Sequence, residues 1–186
     1  YLEGGKSADI EIRFRHPRSN ARCRLDWAVP NDKMPDAQRL MERAVNDGTK
    51  IFIIQSADEW SEFIAVNSKA VFKDKFFVGT NWLGGVMFNK PHDIFKELPV
   101  GNALNWPYQA LIHTGVERMG LVMEGEELLV GAYHTYPMAI GTAMGIVPMG
   151  KGSVLFSTLD IYGNIINDSA AGLVAKKLIF NMIDFK

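Results

Sequence analysis

Four consecutive apolar residues, Ile51-Phe52-Ile53-Ile54, stand between two segments of helical period. A short unbroken apolar run is what a strand looks like when helices cover both faces of its sheet. Before it, Ala37, Leu40, Met41, Ala44 and Val45 fall at i, i+3, i+4, i+7 and i+8, the stripe of an amphipathic helix. Pro35 suits the first turn of that helix and Gly48 a left-handed C-terminal cap. After the run, Ser56-Ala57-Asp58-Glu59 is a capping-box pattern that opens a second helix, with Trp60, Phe63 and Ile64 turned inward. Helix, buried strand and helix in this order predict a layered α/β domain.

The rest of the chain adds strands and one long helix. Phe76 to Tyr108 reads as short strands and loops, with a strand at Phe76–Val78 and a helical turn near His92–Leu98. Met119–Met123 and Leu128–Tyr133 flank Glu124-Gly125-Glu126, which predicts a hairpin. Ala139–Val147 and Ser153–Thr158 flank Met149-Gly150-Lys151-Gly152, which predicts a second. A final helix is expected over Asp168–Phe185, capped from Asn167-Asp168-Ser169. Its buried stripe is Ala171, Val174, Leu178 and Met182, widened by Ala170, Leu173, Ile179 and Ile183, with Lys176, Lys177 and Asp184 outward. Residues 1–34 read as a β-rich N-terminal segment with strands at Ala8–Arg15 and Arg24–Val29. Residues 35–186 are expected to form one three-layer α/β domain with a mainly parallel central sheet and late antiparallel hairpins.

A formal net charge of -1 argues against a general nucleic-acid binder, which needs a basic face to displace counterions. The cluster Arg13, Arg15, Arg18, Arg22 and Arg24 reads as a solvated strand face. No segment approaches the ~20 apolar residues that span a bilayer. The single cysteine, Cys23, allows no internal disulfide and leaves the compartment open. No signal-peptide pattern is visible in the chain. It opens on Tyr1 rather than Met and is expected to be processed or, in preference, cut from a longer polypeptide.

Motifs with chemistry are sparse. Gly145-Ile-Val-Pro-Met-Gly150-Lys151 matches most of a phosphate-binding loop, but Gly152 stands where a magnesium-binding hydroxyl is required. The glycines also lead into the apolar strand Val154-Leu155-Phe156 instead of a helix N-terminus, so a hairpin turn is expected. Cys23 sits between arginines that favour a thiolate, without the glycines of a sharp strand-to-helix turn. His16, His92, His113 and His134 form no zinc-type spacing, and no metal or other cofactor is expected. His134, between Tyr133 and Tyr136, is the histidine of most interest. Asp160 is a candidate carboxylate for glycoside chemistry, with no identified partner. In Asn81-Trp82-Leu83-Gly84-Gly85 and Asn105-Trp106-Pro107-Tyr108 an aromatic ring accompanies an amide, a pairing that suits a sugar face or anchors a loop.

Ligands of open α/β sheets sit outside the carboxyl ends of the parallel strands. If the strands at Ile51–Ile54, Phe76–Val78 and Val154–Ser157 run parallel, Gln55, Asn81, Trp82 and Asp160 converge on one shallow cleft. That mixture of amides, a carboxylate and a ring suits a polyol or sugar. A neighbouring domain covering the same rim is the other expectation.

The C-terminal stretch Gly150-Lys-Gly-Ser-Val-Leu-Phe-Ser-Thr-Leu-Asp160-Ile, with Ala170-Ala-Gly-Leu-Val-Ala-Lys-Lys-Leu-Ile-Phe-Asn181-Met-Ile, resembles flavodoxin-like domains of the class I glutamine amidotransferase-like superfamily. It resembles in particular the version appended to family 2 glycoside hydrolases, β-galactosidase-like enzymes of gut bacteria. His92-Asp-Ile-Phe-Lys-Glu-Leu-Pro99 and Ala44-Val-Asn-Asp-Gly48-Thr-Lys-Ile-Phe-Ile fit as well, so the resemblance covers about residues 35–186. It rests mainly on glycines and core positions. Active amidotransferases carry a cysteine elbow and a His-x-Glu pair after a late strand. Here that strand ends Ser157-Thr158-Leu159-Asp160-Ile161, and the α/β part has no cysteine. The resemblance therefore implies a degenerate active site with no catalytic residues. It implies an accessory domain of a carbohydrate-active hydrolase, with other domains of a longer polypeptide and a carbohydrate as partners, in the periplasm or outside the cell. The alternatives are a stand-alone hydrolase with an unrecognised site, around His134 and Asp160, and a small-ligand binding module.

Overall fold

The computed structural model describes residues 34–54, 56–78, 85–104, 106–113, 119–135 and 138–185. In chain order these form helix α1 (Met34–Asp47), strand β1 (Lys50–Ile53), helix α2 (Ala57–Val66) and strands β2 (Val71–Phe77) and β3 (Gly85–Asn89). Two short 3-10 turns follow, Asp93–Phe95 and Trp106–Tyr108, then helix α3 (Gln109–His113). Strands β4 (Met119–Glu124), β5 (Glu127–His134), β6 (Ala139–Met149) and β7 (Gly152–Ser157) lead to helices α4 (Ile161–Ile165) and α5 (Ala170–Asp184). The strands expected at Ala8–Arg15 and Arg24–Val29, together with His16 and Cys23, lie outside the described residues.

The apolar stripe of α1 explains the first layer. Met41 and Ala44 are fully buried, and with Ala57 and Ile64 of α2 they cover Ile51 and Ile53 of β1, Val147 and Met149 of β6, and Val154 and Phe156 of β7. The neighbours of these strand residues point the other way, because side chains alternate along a strand. Met144, Ile146 and Leu155 face Val174, Leu178 and Met182 of α5, together with Phe95, Tyr108 and Leu111. Two helical layers thus enclose this part of the sheet. Gly48, at φ 77°, ends α1 in the left-handed conformation that glycine tolerates best. The β6–β7 hairpin tip is tied to the same helix end, since the Lys151 amide donates to the Val45 carbonyl at 3.0 Å. Gly150 has φ 58°, as the first position of a two-residue hairpin loop prefers, and a Cβ there would collide with the Val45 backbone. The segment that mimics a phosphate-binding loop is this hairpin.

The sheet has seven strands in the order β1-β7-β6-β4-β2, with β5 pairing both β6 and β3 off that path. Among the described residues only β1 with β7 is parallel, and the other pairings are antiparallel. The sheet is therefore mostly antiparallel, where a mainly parallel one was expected. Connection length explains the difference. Parallel strands need a crossover of a dozen or more residues, whereas β5–β6 and β6–β7 are joined by short loops that reverse the chain.

Other expectations change in detail. The run Ile51–Ile54 is only partly covered on its second face: Ile51 and Ile53 are buried and Ile54 packs half-buried against the α5 side, while Phe52 is 37% exposed at the sheet margin. The Ser56 capping box does not form. Ser56 is left-handed (φ 51°, ψ 38°) and its side chain makes no cap bond, whereas an N-cap normally has extended backbone. β4 and β5 flank the Gly125-Glu126 turn but do not pair as a hairpin, because β4 pairs with β2 and β6 while β5 pairs with β3 and β6.

Aromatic rings lie over glycines in three of the strand pairings. Phe76 of β2 is registered on Gly120 of β4, Phe88 of β3 on Gly131 of β5, and Phe156 of β7 on Gly145 of β6. At each glycine an added Cβ would run into the ring of its registered phenylalanine. A phenyl ring laid over a cross-strand glycine fills the space left by the missing side chain and fixes register.

α5 begins where expected, with the Ser169 hydroxyl accepting from the Gly172 amide at 3.3 Å. Its buried stripe is narrower than expected: Leu173 and Ile183 are 65% and 66% exposed. No helix among the described residues is long and apolar enough to cross a membrane.

Candidate functional site

The carboxyl end of β7 lies beside that of β1, since Ile53 is registered on Phe156. This is the position at which an open α/β sheet presents ligands. The chain leaves β7 through Ser157, Thr158 and Leu159 and enters α4 at Asp160. All four are buried, so their polar groups need partners.

Most of the partners are backbone groups. The Thr158 hydroxyl lies 2.8 Å from the Met119 carbonyl and 3.2 Å from that of Ala143, and the Thr158 amide donates to Ala143 at 2.8 Å. Ser157 Oγ accepts from the Leu159 amide at 3.1 Å. The Asp160 amide donates to the Leu111 carbonyl at 2.9 Å, which ties the rim to α3. The Asp160 carboxylate caps α4 by accepting from the Gly163 amide at 3.0 Å. Asn164, 2% exposed, donates to the Asp160 carbonyl at 2.8 Å and approaches its carboxylate at 3.4 Å. A side chain at position 163 would strike the same carboxylate. An aspartate held this way starts a helix. A glycosidic acid or nucleophile must instead face a sugar across open space.

Asp160 is the one expected rim residue inside the described part. Gln55, Asn81 and Trp82 lie outside it. The strand expected at Phe76–Val78 is β2, Val71–Phe77, which pairs antiparallel with β4 and so does not supply a third parallel end. Among the described residues its carboxyl end is linked to the rim only through β4. Phe77 is registered on Met119, and the Met119 carbonyl receives the Thr158 hydroxyl.

His134 belongs to another part of the sheet. It ends β5, is 9% exposed and is registered on Ala139. Ala139 is four residues along β6 from Ala143, the residue that holds Thr158, or about 13 Å at strand spacing. Among the described residues no group of three or more histidine, cysteine, aspartate or glutamate side chains is arranged to hold a metal.

Sequence reasoning passed over two features. Along the margin of β1 runs a groove of about 260 Å³ lined by Leu40, Phe52, Trp60 and Tyr162. The helical stripe marks Trp60 as an inward residue, and no motif singles out Tyr162. The second feature is a buried polar knot. Tyr108 Oη donates to the Pro99 carbonyl at 2.6 Å, and Asn89 Nδ2 donates to the same carbonyl at 2.8 Å. Burial pushes the Tyr108 phenol up to about 12, with the Asn89 hydrogen bond opposing it in part. Nearby, the Lys177 ammonium bonds Glu97 at 2.6 Å and holds its carboxyl below the usual range. The knot and the Lys177–Glu97 pair hold the segment between β3 and α3, which also covers β3 through a bond from the Leu104 amide to the Met87 carbonyl at 2.7 Å. Their sequence signal was weak, because one tyrosine and one asparagine nineteen residues apart form no motif.

Comparison with known protein families, curated proteins and solved structures finds no match for this chain.

Proposed function

We propose that this chain is a non-catalytic accessory domain of a carbohydrate-active glycoside hydrolase, on a degenerate amidotransferase-like scaffold, and that it packs against other domains of a longer polypeptide. One observation carries this reading: Asp160, the candidate carboxylate of the rim, is taken up as the N-cap of α4. Resemblance to domains appended to family 2 glycoside hydrolases supplies the class of parent enzyme, and with it a periplasmic or secreted location. The flavodoxin-like relationship is confined in this proposal to β1, β7 and their two helical layers, with the antiparallel strands as an elaboration. Exposed apolar side chains along α4, α5 and their link favour packing as the role. Tyr162, Ile166, Leu173, Phe180 and Ile183 of α4, α5 and their link are each more than 60% exposed. Exposed apolar clusters of this kind mark surfaces that meet a partner. The test is to compare aryl-glycoside hydrolysis by the longer polypeptide with and without this domain, and to assay the chain alone. A chain that turns over glycosides by itself contradicts the reading.

Glycan binding is the second reading, favoured by the aromatic lining of the β1 groove. Saturable quenching of tryptophan fluorescence by oligosaccharides, lost in Trp60→Ala or Trp82→Ala, is its expected signature. A flat titration leaves only the packing role.

A further inference from the structure

We draw no further inference here: the strongest candidate, the apolar groove along the margin of β1 lined by Leu40, Phe52, Trp60 and Tyr162, carries nothing because nothing among the described residues shows what covers it.

Discussion

β7 and β5 solve the same problem by different means. β7 alternates its side chains between two helical layers, Val154 and Phe156 toward α1 and α2, Leu155 toward α5. On β5, Gly131 lies under the ring of Phe88, a residue of the neighbouring strand that is itself 40% exposed. In the first region, space is filled by whole side chains locked between elements, and even the ring that covers Gly145, Phe156, is held against α1 and α2. In the second, it is filled by a ring reaching across from another strand. The layered region should therefore respond to truncation, and the ring-on-glycine region to enlargement.

The largest effect is expected in the layered region. Leu178 is fully buried, and Leu178→Ala should cost about 2–5 kcal/mol in denaturant melts, because a cavity remains between α5 and the sheet. A cost below about 1 kcal/mol would mean that α5 closes down on the sheet and that the two regions do not differ.

Enlargement at the glycines comes next. A Cβ on Gly141 would lie 2.7 Å from the Leu121 carbonyl oxygen, which the β4 backbone holds in place. Gly141→Ala should cost about 1–3 kcal/mol, as overpacking does. The nearest atoms to a Cβ on Gly131 all belong to the ring of Phe88, which is 40% exposed, so the cost of Gly131→Ala should be smaller. Its effect should also be non-additive with Phe88→Ala, because the colliding partner is then gone. Equal costs at the two glycines would remove the distinction between backbone and ring contacts.

Tyr108→Phe tests the polar knot that both regions adjoin. Pro99 keeps its bond from Asn89, so the loss should be about 1 kcal/mol. The pH dependence is more telling. The Tyr108 phenol ionises near 12 when folded, against 10.0 for the free group. The unfolded chain releases that proton first, so the contribution is full below about pH 10 and falls as pH rises toward 12. Stability measured across this window should slope downward in the natural chain and less steeply in Tyr108→Phe. The smallest effect belongs to the exposed pair: Lys177→Ala should change stability by about 0.5 kcal/mol or less.

Legibility in the sequence followed the same division. α1 could be read from Ala37, Leu40, Met41, Ala44 and Val45 because its contacts repeat with the helix itself. The β6–β7 hairpin was announced by its own turn. The pairing of β4 was not readable locally. Glu124-Gly125-Glu126 signals a hairpin, but Phe76 and Phe88, far along the chain, draw β4 and β5 to different partners. In β1, four apolar residues in a row conceal which of them face the helices, and the structure leaves Phe52 at the margin. Asp160 carried a readable clue, since aspartate before a short helix is a favoured cap. The rest of the expected rim, Gln55, Asn81 and Trp82, lies outside the described residues.

The central claim is that the rim at the end of β7 is architecture and not chemistry. The direct measurement is turnover of aryl glycosides and of glutamine by the isolated chain and by its Asp160→Ala variant, alongside their denaturant melts. The account predicts no turnover above background in either protein, and a variant less stable by about 0.5–2 kcal/mol, the usual cost of a lost helix cap. Turnover by the natural chain that Asp160→Ala abolishes, with stability unchanged, would contradict it.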